Sequence, residues 1–232
     1  MKFFTILKGT STRIPNKNFI NVGGVPLWFY SLSDLLEQDL TINVDSGALK
    51  RLEGLNLPSN WTVIPREFRH EIWEEERSDS PVLDMLFGFC KSLEDPASVV
   101  CLTHVTSPFV QLETFTHAEL ALSDGFRSVQ SVTKIQDFAW LRNGSLDSPV
   151  NFDPKIVLKT QDLPPLLISN GAFFVAKAGD ILSQSSRVPA PNFMYELSPT
   201  ESIEIDHHGD LELAQRVALA LPDKVDIWNS LT

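Results

Sequence analysis

The chain has 232 residues and sets 19 Lys and Arg against 30 Asp and Glu, a formal charge of −11. A duplex-binding protein carries excess base to neutralise phosphates, so this balance excludes nucleic acid as the expected partner. With 43% hydrophobic and 21% charged residues, the composition is that of an ordinary soluble domain, and the length suits one domain spanning residues 1–232.

The chain opens on the apolar run Phe3–Leu7, which Lys8 ends too early for a signal-peptide core, and no stretch approaches the ~18 apolar residues of a membrane span. Cys90 and Cys101 lack zinc spacing and read as buried free thiols, so a cytoplasmic protein without membrane contact is expected. Phe3–Leu7 itself reads as a buried strand leading into the Gly/Ser/Thr/Pro-rich loop Lys8–Asn18. Pro26 then starts a helical pattern through Leu36, Thr41–Val44 is a strand, Ser46 is the expected N-cap of a helix through Leu52, and Trp61–Ile64 is a strand. The acid-rich Glu67–Asp79 shows no apolar period and reads as an exposed loop or irregular helix beside a site. A helix over Pro81–Ser92, a strand over Ser98–Leu102, a helix over Leu112–Leu122 and a strand over Ser128–Val132 follow.

Between Gln136 and Pro165 turn signals such as Asn143-Gly144 break the alternation, and this segment reads as an arm leaving the main sheet. Beyond it come a strand over Gly171–Ala176, a short helix from Ala178, strands over Phe193–Glu196 and Ile203–Ile205, and a helix over Leu211–Leu221 stopped by Pro222. Strands alternating with helices predict an α/β fold, a mostly parallel sheet covered on both faces. In such sheets ligands bind beyond the carboxyl ends of the strands, which directs attention to the loops there.

Charge is uneven along the chain. Residues 1–33 hold Lys2, Lys8, Arg13 and Lys17 and no acid, whereas residues 200–226 hold seven acids against Arg216 and Lys224. A basic loop and an acidic segment suit a site for an anion with a metal ion; mutual attraction across the surface is the plainer reading. On a strand at Ile203–Ile205, Glu204 and Asp206 would share one face, because strand side chains repeat every second residue. The adjacent His207 and His208 read as solvated, and His104, at a strand end, as a candidate pocket residue.

Six short strings give these loops a pattern: Lys8-Gly9-Thr10-Ser11-Thr12-Arg13-Ile14-Pro15-Asn16-Lys17-Asn18; Asn43-Val44-Asp45-Ser46; Ser78-Asp79-Ser80; Thr106-Ser107-Pro108; Gln161 and Pro164 with Asn170-Gly171-Ala172-Phe173-Phe174; and Glu201–Asp206 followed by Asp210-Leu211-Glu212-Leu213-Ala214. In this order, over nearly the whole chain, they resemble the acylneuraminate cytidylyltransferase (CMP-sialic acid synthetase) family, with its A-R-x-G-S-K-G-[IL]-P-x-K-N signature and its E-S-I-D-I-D string. The resemblance implies a three-layer, Rossmann-like nucleotide-diphospho-sugar transferase fold with an inserted dimerisation arm, roughly residues 136–165. It implies activation of an acidic 2-keto sugar with CTP, giving a CMP-sugar and pyrophosphate, with Mg2+ as cofactor and a homodimer as assembly. By the same resemblance Lys8, Lys17 and Asp206 are the catalytic candidates. Nucleotide would be bound by Lys8, Gly9, Ser11, Arg13, Lys17, Asn18, Ser78 and Asp79, sugar by His104, Gln161, Asn170 and Phe174, and metal by Glu204 and Asp206. The sequence departs from the pattern at Lys8, Thr12, Arg13, His104, Val105, Val110, Phe174 and Glu204. These departures leave two alternatives open: a member that binds nucleotide or sugar without turnover, and one whose nucleotide is not CTP.

Overall fold

The computed structural model describes residues 1–66, 81–144, 146–222 and 224–232. In chain order, β1 (Lys2–Leu7) leads through a loop to the small ribbon β2 (Asn21–Val22) and β3 (Val25–Pro26), and then to α1 (Leu27–Leu32). Next come β4 (Leu40–Val44), α2 (Ser46–Leu52), β5 (Trp61–Pro65), α3 (Pro81–Ser92), β6 (Val99–Thr103) and α4 (Leu112–Leu120). The second half has β7 (Ser128–Ile135), the hairpin β8 (Trp140–Asn143) and β9 (Leu146–Pro149), β10 (Leu166–Lys177), α5 (Ala178–Gln184) and β11 (Asn192–Glu196). The chain closes with α6 (His208–Ala218) and α7 (Val225–Asn229).

Seven strands form one sheet in the order β11-β7-β10-β6-β1-β4-β5. Neighbours are parallel except at β10, which runs antiparallel to both β6 and β7. Alternation along the buried strands builds the two outer layers. Phe3, Cys101 and Phe173 face a core shared with α1, α2, α4 and α6, while Phe4, Leu102 and Phe174 face a smaller core shared with α3 and α5. The aromatic rings interlock on each side: Phe3 meets Phe115 edge-on at 5.3 Å, and Phe4 stacks on Phe89 at 4.8 Å.

The expected segment Glu67–Asp79 lies outside the described residues; elsewhere the expected elements form with three corrections. The N-cap of α2 is Asp45, not Ser46: the Asp45 carboxylate accepts from the Ala48 amide at 2.7 Å, which leaves Ser46 as the first helical residue. Residues 203–205 form no strand. They pass the loop after β6, and Ile205 donates a backbone bond to the Thr106 carbonyl at 2.8 Å. The last helix starts at His208, and after its end α7 adds a turn of helix that the sequence reading left out; its Trp228 packs on Phe29 and Trp28. The expected excursion is an exposed two-stranded hairpin, with Trp140 opposite Pro149 and the turn at Asn143-Gly144.

Candidate active site

A cavity of about 540 Å³ opens at the carboxyl ends of β1 and β6. One side is the loop after β1, contributing Lys8, Thr10 to Ile14, Lys17 and Asn18; the other is His104, Val105 and Thr106 after β6, with Asp206 and Val82 closing it. The position follows from the sheet, because loops leaving parallel strands converge there.

The loop is held at both ends by local bonds. The Asp45 carboxylate that caps α2 also accepts from the Gly9 amide at 2.9 Å, so one side chain joins the loop after β1 to the helix after β4. Gly9 is needed for this approach: a Cβ there would sit 2.4 Å from the Gly47 backbone carbon. Asn18, buried, donates its amide to the Lys8 carbonyl at 2.9 Å and closes the loop on itself. Gly9 and Asn18 thus shape the loop, whereas Lys8, Ser11 and Arg13 turn toward the open cavity. Ser78 and Asp79 lie outside the described residues.

The basic loop and the acidic segment meet here. Arg13 pairs with Asp206 at 2.7 Å, and Lys17 reaches both Asp206, at 3.1 Å, and the Ile205 carbonyl. Lys17 is nearly buried and bound to the acidic segment, while Lys8 and Arg13 remain exposed to the cavity. Burial alone would raise the Asp206 carboxyl, but the hydrogen bonds and charges of Lys17 and Arg13 outweigh it and hold the group below the ordinary carboxylate range. Glu204 goes the other way. Burial first, and the Asp206 charge second, push its carboxyl up against the opposing effects of Lys17, Thr106 and Arg13. The two carboxylates flank inward-facing Ile205, so the alternation expected of a strand persists in extended chain without a ladder.

Two carboxylates interacting beside a cluster of cations are a hard-oxygen donor pair, and magnesium, which keeps several waters and takes phosphate oxygens, needs no more from the protein. Among the described residues no group of three or more His, Cys, Asp and Glu forms a closed cage. His207 and His208 are exposed; the His207 side chain accepts from an amide in the first turn of α6, and Asp210 returns the bond to the His207 amide at 2.7 Å.

The far wall is His104. Burial, aided by the charge of Arg187, lowers its pKa to about 4, so it is a neutral imidazole at pH 7. Its amide donates to the Ala172 carbonyl at 3.1 Å, which places it beside the irregularity of β10. There the register shifts between Ser169 and Phe174, and Gly171 adopts φ +71°, a conformation costly for other residues. Asn170 donates to the Thr133 hydroxyl at 3.1 Å and accepts from the Ala172 amide, so it fastens the bulge. A Cβ on Gly171 would lie within 4 Å of both His104 and Glu204, so β10 passes directly behind the site. Phe174 is buried, its ring 6.2 Å from that of His104, and supports the wall from the smaller core. Gln161 is not brought to the cavity: it lies exposed on the arm, where its carbonyl accepts from Gln136. Two residues that the sequence reading did not single out belong to this picture. Asp45 was visible only as part of a string, and Arg187, whose guanidinium covers the Phe174 ring at 4.1 Å, gave no motif signal.

No family model matches the chain. It is similar to the N-acylneuraminate cytidylyltransferase A of Danio rerio, 26% identical over 219 residues that cover 92% of this chain and 50% of that protein. It is also similar to the N-acylneuraminate cytidylyltransferase of Streptococcus agalactiae serotype III, 24% identical over 86% of this chain and 49% of that one. The sequence likeness is thus to proteins named N-acylneuraminate cytidylyltransferase, at 24–26% identity. The chain spans about half the length of the curated relatives it matches. Among solved structures, a CMP:2-keto-3-deoxy-manno-octonic acid synthetase complexed with CTP superposes with a TM-score of 0.61 at 11% identity, covering 95% of this chain and 99% of that one. At that identity the likeness establishes the fold, which is the expected nucleotidyltransferase α/β fold.

Proposed function

We propose that the chain is a magnesium-dependent cytidylyltransferase that joins CTP to an acidic 2-keto sugar and releases pyrophosphate. The observation that carries this reading is the meeting of the acid-free loop and the Glu204–Asp206 segment across one cavity, through Arg13, Lys17 and Asp206. Triphosphate is highly charged, and an ion-paired floor with exposed Lys8 and Arg13 gives its oxygens cations in a shielded setting. Glu204 and Asp206 would hold magnesium, which supplies charge to offset that of the phosphates. In the reaction the anomeric oxygen attacks the α-phosphorus, the bond to the bridging oxygen of the leaving pyrophosphate breaks, and the hydroxyl proton passes to a site carboxylate. Lys8 and Lys17 favour the charge that gathers on the leaving group, and His104 and Asn170 orient the sugar.

The same reading makes the protein a cytoplasmic homodimer whose arm carries Gln161 toward the partner's cavity. The buried thiols of Cys90 and Cys101 suit a reducing compartment, and no helix among the described residues is long and apolar enough to cross a membrane. Pyrophosphate release with CTP, magnesium and a panel of N-acetylneuraminic, legionaminic, pseudaminic and 3-deoxy-manno-octulosonic acids tests the activity. Turnover of at least one acid is expected. Measurable CTP binding with no turnover of any would replace the enzyme by a nucleotide-binding relative, and thermal shifts with all four triphosphates test the choice of base.

A further inference from the structure

Arg187 lies just after α5, in a loop whose next residue, Val188, packs in the smaller core together with Val82 and Phe174. Val82 also lines the cavity, so this loop and the cavity wall share one patch of core. The guanidinium carbon lies over the Phe174 ring, 4.1 Å from its centre, and its charge reaches His104 on the cavity wall. It is partly buried, and among the described residues no carboxylate pairs with it. Burial lowers its pKa.

A partly buried cation without a counter-charge is costly unless something completes it. The cations that line the cavity, Lys8, Arg13 and Lys17, all lie on the loop after β1, and two of them are paired with Asp206; Arg187 stands behind the wall that His104 forms. Opposite that loop the lining is neutral apart from Asp206, with His104, Val105, Thr106 and Val82; Asn170 and the Phe174 ring lie behind His104. An acidic second substrate held against His104 brings a carboxylate, and among the described residues the charge that acts on that imidazole is Arg187. The planar guanidinium, already oriented by the ring beneath it, presents the fork that carboxylates accept in two parallel hydrogen bonds.

We infer that Arg187, stacked on Phe174 behind His104, is the carboxylate anchor that selects an acidic co-substrate at the sugar end of the cavity. The inference rests on the cytidylyltransferase reading and deepens it by naming the residue that recognises the acid. Arg187 touches no phosphate in this arrangement; it positions the sugar through its carboxylate.

The test separates charge from packing. N-acetylneuraminic acid, 3-deoxy-manno-octulosonic acid and their methyl esters are titrated calorimetrically into the full chain holding CTP, for the wild type, Arg187→Gln, Arg187→Met and Arg187→Lys. Arg187→Met keeps an unbranched chain on the Phe174 ring, and thermal melting of each variant reports whether the loop stays folded. The wild type is expected to bind at least one acid ~10-fold or more better than its ester. Gln and Met variants should bind acid and ester alike, Lys should restore part of the preference, and CTP affinity should not move. Equal acid preference in wild type and Arg187→Gln overturns the anchor, as does a wild type that does not distinguish acid from ester or binds neither. Parallel loss of CTP, acid and ester binding in Arg187→Met also overturns it, since the residue would then only support the wall. Turnover of the sugar panel by the wild type is scored separately: turnover with an unchanged Arg187→Gln preference sinks the anchor alone, and absence of turnover sinks the cytidylyltransferase reading.

Discussion

At the scale of single residues, the site is a balance of charges that are each only partly satisfied. Asp206 is the pivot, because it pairs with Arg13 and Lys17 and stands next to Glu204. Asp206→Asn removes one of the two carboxylates proposed to hold magnesium, so kcat/KM should fall by more than about 100-fold, beyond the range seen when a residue only supports a metal ligand. The pairs it breaks are more than a third exposed on the Asp206 side, so the melting temperature should hardly change, consistent with 0–1 kcal/mol. With Arg13 and Lys17 released, CTP should bind the variant at least as well as the wild type in the absence of magnesium; weaker metal-free binding would count against the arrangement. His104 offers a separate titration. Its folded pKa of about 4 lies below the ordinary 6.5, so the unfolded chain binds the proton more readily. Its contribution to stability is therefore whole above pH 6.5 and is lost as pH falls from 6.5 to about 4, by up to ~3 kcal/mol. Urea unfolding of wild type and His104→Gln across that window isolates the effect: the difference in their stabilities should shrink with acid, and a constant difference would show that His104 is not held neutral.

At the scale of elements, the two halves of the phosphate end are joined by one carboxylate. Asp45 caps α2 and holds the Gly9 amide, so Asp45→Ala should cost about 1–2 kcal/mol for the cap and also loosen the loop after β1. Chemical denaturation measures the first effect and CTP titration the second; a destabilised variant with full CTP affinity would mean that the loop keeps its shape without this tether. Gly9→Ala is a stricter version, since its Cβ would meet backbone at 2.4 Å and backbone does not yield as a side chain end does. It should weaken CTP binding by roughly 10-fold or more, the size of effect expected when a binding loop shifts by an ångström. These details mark where sequence reading stops. Strands such as Leu40–Val44 and helices such as Pro81–Ser92 are legible because their apolar spacing is set by burial in a covered sheet. Which of Asp45 and Ser46 caps α2 depends on the distance to Gly9, a residue 36 positions away, and local propensity ranks the two alike. Alternation in the sequence puts Glu204 and Asp206 on either side of buried Ile205, but the segment is not a strand, because a ladder needs a partner edge that the sequence does not reveal. Arg187 had no signal at all: its meaning comes from the ring beneath it and from the lack of a counter-charge among the described residues.

At the scale of the whole molecule, the charge of −11 and the exposed arm pose one question together. Copies of so acidic a chain repel, and any stable contact between them has to come from a surface that is nearly neutral and apolar. The arm offers such a surface: residues 136–165 carry four acids against three bases, while Leu146 is 76% exposed, Leu141 57% and Val157 99%. Leu141 and Leu146 fall on the same face of the hairpin by its register, whereas Trp140 turns to the other face and packs on Phe152 at 5.2 Å. A two-stranded hairpin is marginal by itself, and one that leaves a leucine face bare gains most by covering it. A second copy supplying the same face would bury both at once with twofold symmetry, and would put Gln161, which lies away from its own cavity, on the side of the molecule that meets the partner. The chain is therefore expected to sediment as a dimer at micromolar concentration. The double substitution Leu141→Ser with Leu146→Ser should shift it to monomer, leaving the cooperative melt of the sheet in place because neither residue touches the main core. If Gln161 serves the partner's site, the monomeric variant should also lose affinity for the acidic sugar while keeping CTP affinity, since the loop after β1 and its Asp45 tether are complete within one chain. A wild type that sediments as a monomer, or a variant that remains a dimer, would place the contact elsewhere and leave the bare leucine face without this role.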